Sequence, residues 1–178
     1  GKLSKSIDLS CFDIASGTKE PGYTVANDSG KGSFVDGAIV ISNGFCYDCH
    51  KITFNASGDP GEPPVEEENT YVVLDMQIDT LGGDWKNDIE IRFYPHNFEG
   101  NPHEDYADKV IFKAGEPKTV KLKADEYLID GELTGIGIGI FGGPQWDAKL
   151  PDGYTPDRHT VTISSVKLEG EKSENIDL

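Results

Sequence analysis

The segment Gly135–Phe141 reads Gly-Ile-Gly-Ile-Gly-Ile-Phe, so isoleucine and glycine alternate without interruption. Side chains in a β-strand point to opposite faces with a period of two, which puts the isoleucines on one face and the glycines on the other. Glycine inside a strand costs about 0.5–1 kcal/mol relative to alanine, so three in alternation indicate that something approaches the backbone closely. The segment predicts a strand, Leu133–Phe141, with one core face and one bare face.

Eight further segments carry β-branched and aromatic runs between the glycine- and proline-rich clusters that punctuate strands. They are Ile7–Ala15, Ser33–Ser42, Lys51–Ala56, Thr70–Asp79, Ile89–His96, Lys109–Lys113, Thr119–Lys123 and Thr160–Glu169. No segment shows the periodicity of an amphipathic helix, and Ala124–Leu128 is expected to form one short turn. The expected fold class is all-β, a two-sheet antiparallel β-sandwich over residues 1–170, with a polar tail at 171–178.

Alternation within these strands separates core residues from outer residues. The expected core side chains are Val72, Leu74, Met76 and Ile78, then Ile89, Ile91 and Phe93, then Ile136, Ile138 and Ile140. In the last strand Val161 and Ile163 are followed by Val166 and Leu168. That change of phase predicts a β-bulge at Ser164-Ser165.

The bare glycine face has two interpretations. Either a loop or a terminus covers it, or Gly137, Gly139 and Phe141 form the floor of an open groove for an extended ligand. Polar side chains on adjacent strands favour the groove, because sugar hydroxyls need donors and acceptors and sugar rings pack on aromatic faces. The candidates are Asp75, Gln77, Glu90, Arg92, Tyr94 and His96, on the assumption that their strands lie side by side in one sheet.

Two loops add aromatic residues. Leu81–Asp88 carries Trp85, and the segment 142–156 carries Trp146 and Tyr154. Loops lie on the surface, so these rings are candidate platforms for a ligand. The alternative is that each tryptophan folds back to close an end of the sandwich.

The formal net charge of −16 limits the possible partners. Such a chain repels phosphate backbones and anionic lipid headgroups, so nucleic acid and membranes are not expected partners, whereas a neutral ligand meets no repulsion. No stretch approaches the length of a membrane span. We expect an extracellular monomer.

Three cysteines allow at most one internal disulfide, with Cys11 expected to pair with Cys46 or Cys49. The Cys46-x-x-Cys49 spacing lacks the following helix of a redox site and the further ligands of a zinc site. No metal site or cofactor is therefore expected. A structural calcium ion held by scattered carboxylates remains an option without a place in the sequence.

Catalysis would need two carboxyl groups about 5–9 Å apart across a glycosidic bond. Glu90 with Asp75, Asp79 or Asp88 is the candidate pair, but no second glutamate lies mid-strand on the same face. No serine nucleophile motif is present. The sequence therefore favours a binding protein over an enzyme.

The GIGIGIFG strand, the closing segment HTVTISSVKLEG and the aromatic loops resemble the jelly-roll carbohydrate-binding modules of bacterial xylanases and related enzymes, across residues 3–170. The resemblance implies non-catalytic binding of a plant cell-wall polysaccharide, with xylan first and other β-glucans second, and targeting of an attached glycoside hydrolase. The polar residues Gln77, Glu90 and Arg92 and the rings of Trp85, Tyr94, Trp146 and Tyr154 match such sites by type. The alternatives are a sandwich glycoside hydrolase or polysaccharide lyase, and a structural or adhesive surface domain.

Overall fold

The computed structural model describes residues 2–17, 31–44, 48–55, 70–81, 88–99, 104–141 and 158–171. Within these ranges the chain forms eleven strands and one 3₁₀ turn, Ala124–Glu126. The strands are β1 (Lys2–Ser6), β2 (Phe12–Gly17), β3 (Lys31–Val35), β4 (Ala38–Gly44), β5 (Cys49–Phe54), β6 (Thr70–Leu81), β7 (Ile89–Tyr94), β8 (Asp108–Phe112), β9 (Lys118–Lys123), β10 (Gly135–Phe141) and β11 (Arg158–Glu171).

The strands build two antiparallel sheets, which confirms the expected all-β sandwich. The six-stranded sheet has the order β3-β4-β11-β6-β9, and β1 pairs with β11. The five-stranded sheet has the order β2-β5-β10-β7-β8. Strands β4 to β11 are thus distributed between two four-stranded sets, β4-β11-β6-β9 and β5-β10-β7-β8, which is the arrangement of a jelly roll.

The core lies between the two sheets and consists of the side chains that alternation assigned to it. Ile138 and Phe93 from the five-stranded sheet and Leu74 and Ile163 from the six-stranded sheet are all 0% exposed. Every other predicted core residue of β6, β7, β10 and β11 is also buried. Each such side chain contributes about 1.5–3 kcal/mol through burial, so these alternating faces are the main stabilising feature.

The predicted bulge in the last strand is confirmed. The register of β11 against β6 shifts between Ile163 and Ser165. The extra residue moves the apolar phase by one position, and Val166 and Leu168 therefore return to the core.

Two predicted strand boundaries are wrong. The segment Ser33–Ser42 is a hairpin, because Asp36 and Gly37 both have positive φ and form a two-residue turn. The segment Ile7–Ala15 is a strand only from Phe12 onward, since residues 7–11 connect β1 of the six-stranded sheet to β2 of the five-stranded sheet. At the far end β11 extends through Glu171, while residues 172–178 lie outside the described ranges, so the domain boundary at 170 stays a prediction.

Candidate functional site

Strands β7 and β10 are neighbours in the five-stranded sheet, so their outer side chains share one face. Gly137 lies opposite Tyr94 in the register. Two residues further along, Gly139 lies opposite Arg92. The side-by-side placement assumed from the sequence therefore holds for these two strands.

Strand β6 does not share this face, and the prediction that Asp75 and Gln77 join the other candidates is wrong. The jelly-roll connection sends β6 and β7 to different sheets, so the outer side chains of β6 face the opposite side of the molecule. Asp75 accepts a hydrogen bond from Thr119 Oγ1 at 2.6 Å, and Gln77 Nε2 donates to Asp79 Oδ1 at 2.9 Å. Asp75, Gln77 and Thr119 line a separate cleft of about 420 Å³.

The glycines of β10 do not form an open floor at Gly137. The ring of Tyr94 lies across this position, and a Cβ built on Gly137 would overlap its Cε2 and Cδ2 atoms. At Gly135 the ring of His96 occupies the corresponding space, with its Cγ 2.7 Å from a built Cβ. Tyr94 is 0% exposed and Gly139 is also buried. At Gly135 and Gly137 the bare face is therefore filled by rings, from β7 and from the segment that follows it.

The segment that follows β7 covers this end of the face. A turn joins Pro95 and Phe98, since the Phe98 N–H donates to the Pro95 carbonyl oxygen at 3.0 Å. Lys51 Nζ donates to the Phe98 carbonyl oxygen at 2.7 Å, and the Phe98 ring centroid lies 6.1 Å from that of Tyr94. Burial, followed by the adjacent Cys49 thiol, raises the pKa of Tyr94 above its ordinary value. A loop over the glycine face, which was the first of the two interpretations of the sequence, is thus partly present.

An accessible group of charged side chains lies on the β7–β8 side of the same face. Arg92 donates from Nε to Glu90 Oε2 at 2.7 Å and from Nη2 at 2.6 Å. Lys109 Nζ is 3.7 Å from the other oxygen of Glu90, and the guanidinium carbon of Arg92 lies 4.8 Å from the centroid of the Tyr106 ring. We call Glu90, Arg92, Tyr106 and Lys109 the charged row.

The contacts within the charged row fix the orientation of its side chains more than they stabilise the fold. The side chains of Arg92 and Glu90 are 13% and 20% exposed, and Lys109 is 48% exposed. A partly exposed ion pair contributes only about 0–1 kcal/mol. Its effect here is to hold a planar guanidinium against a tyrosine ring, beside a carboxylate, in one defined position.

Sequence reasoning missed Tyr106 and Lys109. Lys109 was assigned to a strand, and its alternation with the apolar Val110 could have placed it on the outer face. Tyr106 precedes β8 and carried no periodic signal. Of the other predicted residues, Trp85, Trp146 and Tyr154 lie outside the described residues, as does the side chain of Phe141. Their contact with a ligand stays a prediction.

The candidate catalytic pairs of Glu90 with Asp75 or Asp79 do not form. Both aspartates belong to β6, and β6 and β7 lie in different sheets. Asp88, the third candidate partner of Glu90, directly precedes β7 and is exposed. Glu90 is instead ion-paired with Arg92 and Lys109.

Two buried histidines meet inside the sandwich, a feature with no counterpart in the sequence analysis. His50 of β5 and His159 of β11 lie close to Asp48, and all three side chains are 0% exposed. Burial lowers the pKa of His50 to about 4, which keeps its imidazole neutral at neutral pH. Within the described ranges no set of three carboxylates comes together, and a structural calcium ion stays a prediction.

The expected disulfide of Cys11 is absent. Cys11 is exposed and its thiol forms no disulfide, while Cys49 is buried in β5 and Cys46 lies outside the described residues. Cys11 directly precedes β2, and Cys49 lies at the opposite end of the β2–β5 pairing, since Phe12 aligns with Phe54 and Gly17 with Cys49. Among the described residues, no helix is long and apolar enough to cross a membrane.

Comparison with solved structures finds matches of low sequence identity. A structure described as the xylan-binding module CBM15 shares 12% identity at a TM-score of 0.47, covering 97% of this chain and 99% of its own. The low-affinity xylan-binding module CBM86 of Roseburia intestinalis shares 17% identity at 0.40, covering 96% and 95%. A protein from Bacillus endospore appendages, which form disulfide-linked pili, shares 9% at 0.35, covering 85% and 99%.

No protein family and no curated protein matches the sequence. At TM-scores below 0.5, the assignment of a function rests on the side chains of the site.

Proposed function

We propose that this protein is a non-catalytic module that binds a neutral plant polysaccharide, xylan first and other β-1,4- and β-1,3-glucans second, on the outer face of its five-stranded sheet. The observation that carries the proposal is the charged row, in which Arg92 is held between the Glu90 carboxylate and the Tyr106 ring. The sequence resemblance to carbohydrate-binding modules supports the same ligand class.

The chemistry of the charged row suits sugar hydroxyls. The guanidinium of Arg92 presents N–H donors and the carboxylate of Glu90 presents lone pairs, which are the two kinds of partner that hydroxyl groups need. Charge-assisted hydrogen bonds of this kind are about twice as strong as neutral ones. Because the row is already ordered, the ligand does not bear the entropy cost of arranging it.

Apolar surface lies directly beside the row. Ile111 aligns with Glu90 across the β7–β8 pair, so it is on the same outer face, and it is 41% exposed. Together with the half-buried Tyr106 ring it gives the C–H faces of a sugar ring somewhere to pack. A site of donors, acceptors and apolar surface matches a neutral polyhydroxylated chain.

The net charge of −16 selects against acidic polysaccharides. A protein of this charge repels uronate-rich chains over roughly 8 Å at physiological ionic strength, whereas xylan backbones and glucans are uncharged. We propose further that the module acts outside the cell as part of a larger enzyme, holds no obligatory cofactor and binds as a monomer. Trp85, Trp146 and Tyr154 are proposed to extend the site.

Affinity electrophoresis tests the proposal. Native gels containing soluble xylan, mixed-linkage β-glucan, mannan or pectin are compared with a gel without polysaccharide. We expect retardation in the xylan gel, less in the glucan gel and none in the pectin gel. Unchanged mobility in all four gels would remove the proposed function.

The non-catalytic part of the proposal has its own measurement. Prolonged incubation with xylan and β-glucan is expected to release no reducing sugar, because the Glu90 carboxylate is ion-paired with Arg92 and Lys109. Release that is lost in Glu90→Gln while binding is retained would establish the alternative, a sandwich glycosidase.

A further inference from the structure

We propose that Asp48, His50 and His159 bind a divalent transition-metal ion, zinc first, that joins the two sheets inside the sandwich. One donor atom from each of the three residues lies within 4.8 Å of the others. His50 belongs to the five-stranded sheet and His159 to the six-stranded sheet. This site is separate from the charged row, and its occupancy does not depend on whether a polysaccharide binds.

The spacing of the two imidazoles fits a shared tetrahedral ion. The Nε2 atoms of His50 and His159 are 3.1 Å apart. Two histidine nitrogens at the usual zinc–nitrogen distance of about 2.0–2.1 Å, in tetrahedral geometry, are about 3.3 Å apart. Small rotations of the two rings therefore convert the present contact into a pair of metal ligands.

A hydroxyl group orients His50 for coordination. Ser16 Oγ lies 2.8 Å from Nδ1 of His50. With a proton on Nδ1 donated to Ser16, the lone pair on Nε2 points at His159 and is available to a metal. Metal-binding histidines almost always engage their second nitrogen in this way, because the bond fixes the tautomer and the ring plane.

Strand β4 leaves space for the imidazole ring of His159. Gly44 lies opposite His159 in the register of β4 and β11. A Cβ built on Gly44 would overlap Nε2 of His159 and would lie 2.9 Å from its Cδ2. Only glycine leaves room for the ring in this position, so the strand that flanks His159 is adapted to it.

The third ligand is anchored by the backbone. Asp48 directly precedes β5, and its carbonyl oxygen accepts a hydrogen bond from the Ile140 N–H at 2.9 Å. Asp48 and His50 are two residues apart in extended chain, so their side chains project to the same side. The three protein donors leave a fourth tetrahedral position for water.

The donor set decides the class of metal. Two imidazole nitrogens and one carboxylate oxygen suit zinc and its neighbours in the first transition series, whereas calcium takes six to eight oxygens. An ion that binds only the folded chain adds to its stability by mass action. Here the gain falls on the contact between the sheets, where no covalent link is described.

Zinc binding is measured on the full chain after treatment with a chelator and removal of the chelator by dialysis. We expect titration calorimetry with zinc chloride to show one site per chain and the melting temperature to rise with zinc but not with calcium. Cobalt(II) in place of zinc should give the visible d–d absorption of a tetrahedral site. His50→Gln and His159→Gln should each weaken zinc binding at least about 100-fold, and Asp48→Asn at least about tenfold.

His96→Gln is the matched control. His96 lies just after β7 on the outer face of the sheet, away from Asp48, His50 and His159. Its replacement should therefore leave the zinc affinity unchanged. Far-ultraviolet circular dichroism checks that each variant is folded. If a variant does not fold, the wild-type histidine NMR signals decide, because zinc must shift those of His50 and His159 and leave His96 unmoved. Absence of zinc binding by the folded wild type, or wild-type affinity for zinc in both histidine variants, would overturn the proposal.

Discussion

The ring of Tyr94 lies across the backbone of Gly137 on the adjacent strand, in the space that a side chain would occupy. The aromatic ring replaces the packing that glycine lacks, and the glycine allows the ring to lie flat and fully buried. Pairing an aromatic residue with a cross-strand glycine offsets part of the entropic cost of placing glycine in a strand. The alternating glycines are therefore part of the packing of the outer face.

Substitution of Gly137 should destabilise the fold. In Gly137→Ala the new methyl group overlaps the Tyr94 ring, and the ring has no open side to move toward because it is fully buried. We expect the free energy of unfolding to fall by about 1–3 kcal/mol, the range for overpacking. Chemical denaturation followed by fluorescence gives the value.

A double-mutant cycle isolates the contact behind this effect. With Tyr94→Ala as the background, Gly137→Ala meets no ring, and the added cost should shrink to near zero or become a small gain from strand propensity. An undiminished cost in that background would show that the ring is not the obstacle.

The charged row should account for most of the polysaccharide affinity. Arg92→Ala removes the oriented donor and leaves Glu90 without its closest cation, and we expect xylan affinity to fall about tenfold to 100-fold. Tyr106→Ala should lower it by about three- to tenfold through the lost ring. Titration calorimetry with a xylo-oligosaccharide measures both.

Gln77→Ala is the matched control for these variants. Gln77 was predicted from the sequence to belong to the site, but it lies on the outer face of the six-stranded sheet. Its replacement should leave xylan affinity unchanged. A loss in Gln77→Ala equal to that in Arg92→Ala would move the site to the cleft beside Asp75.

Local pattern predicted much of the fold, since alternation is a property of each strand alone. The burial of Ile136, Ile138 and Ile140 and the bulge at Ser164-Ser165 required no knowledge of neighbours. The missed hairpin at Asp36-Gly37 was also local, because its turn residues are visible in the sequence.

The candidate site was less predictable, because it depends on which strands become neighbours. Alternation places Asp75 and Arg92 on outer faces, but it does not state that these faces lie on opposite sides of the molecule. The contact of His50 with His159 joins positions 109 residues apart, and no motif spacing reports such a pair. Which side chains fill the space beside the glycines of β10 likewise depends on how the strands are arranged in the folded sheet.

Tyr127 should contribute to stability through its hydroxyl group. Its OH donates to Asp108 Oδ2 at 2.7 Å, which ties the turn after β9 to the start of β8. Burial, followed by this hydrogen bond, raises the pKa of Tyr127 above its ordinary value. Tyr127→Phe should lower the free energy of unfolding by about 1–2 kcal/mol, measured by denaturation.

Tyr71 provides the comparison for that measurement. Lys121 Nζ lies 4.2 Å from the centroid of the Tyr71 ring on the outer face of the six-stranded sheet. Tyr71→Phe keeps this ring contact, so stability should change by less than about 0.5 kcal/mol. Equal losses in the two variants would argue against a special role for the bond to Asp108.

His96 should titrate at a lower pH than an ordinary histidine. Burial first, and the positive charge of Lys51 second, lower the pKa of His96, and Thr134 Oγ1 lies 3.4 Å from its Nε2. The native state therefore resists protonation more than the unfolded chain. The contribution of His96 to stability is complete above about pH 6.5 and declines as the pH falls toward the native pKa.

An NMR titration of the His96 ring protons measures this pKa directly. In Lys51→Met the pKa should rise toward the ordinary value but remain below it, because burial is the larger cause. A wild-type pKa at or above the ordinary value would contradict the structure around His96.

Strand β11 is the last of the described strands, yet it hydrogen-bonds to β1, β4 and β6. While the protein is being synthesised, the β3–β4 hairpin and the β6–β9 pair have no strand between them, and the edges of β4 and β6 stay open. Closure over such long sequence separations is slow, and open edges are prone to aggregation. Completion of this sheet is thus a late event that depends on emergence of residues 158–171 from the ribosome.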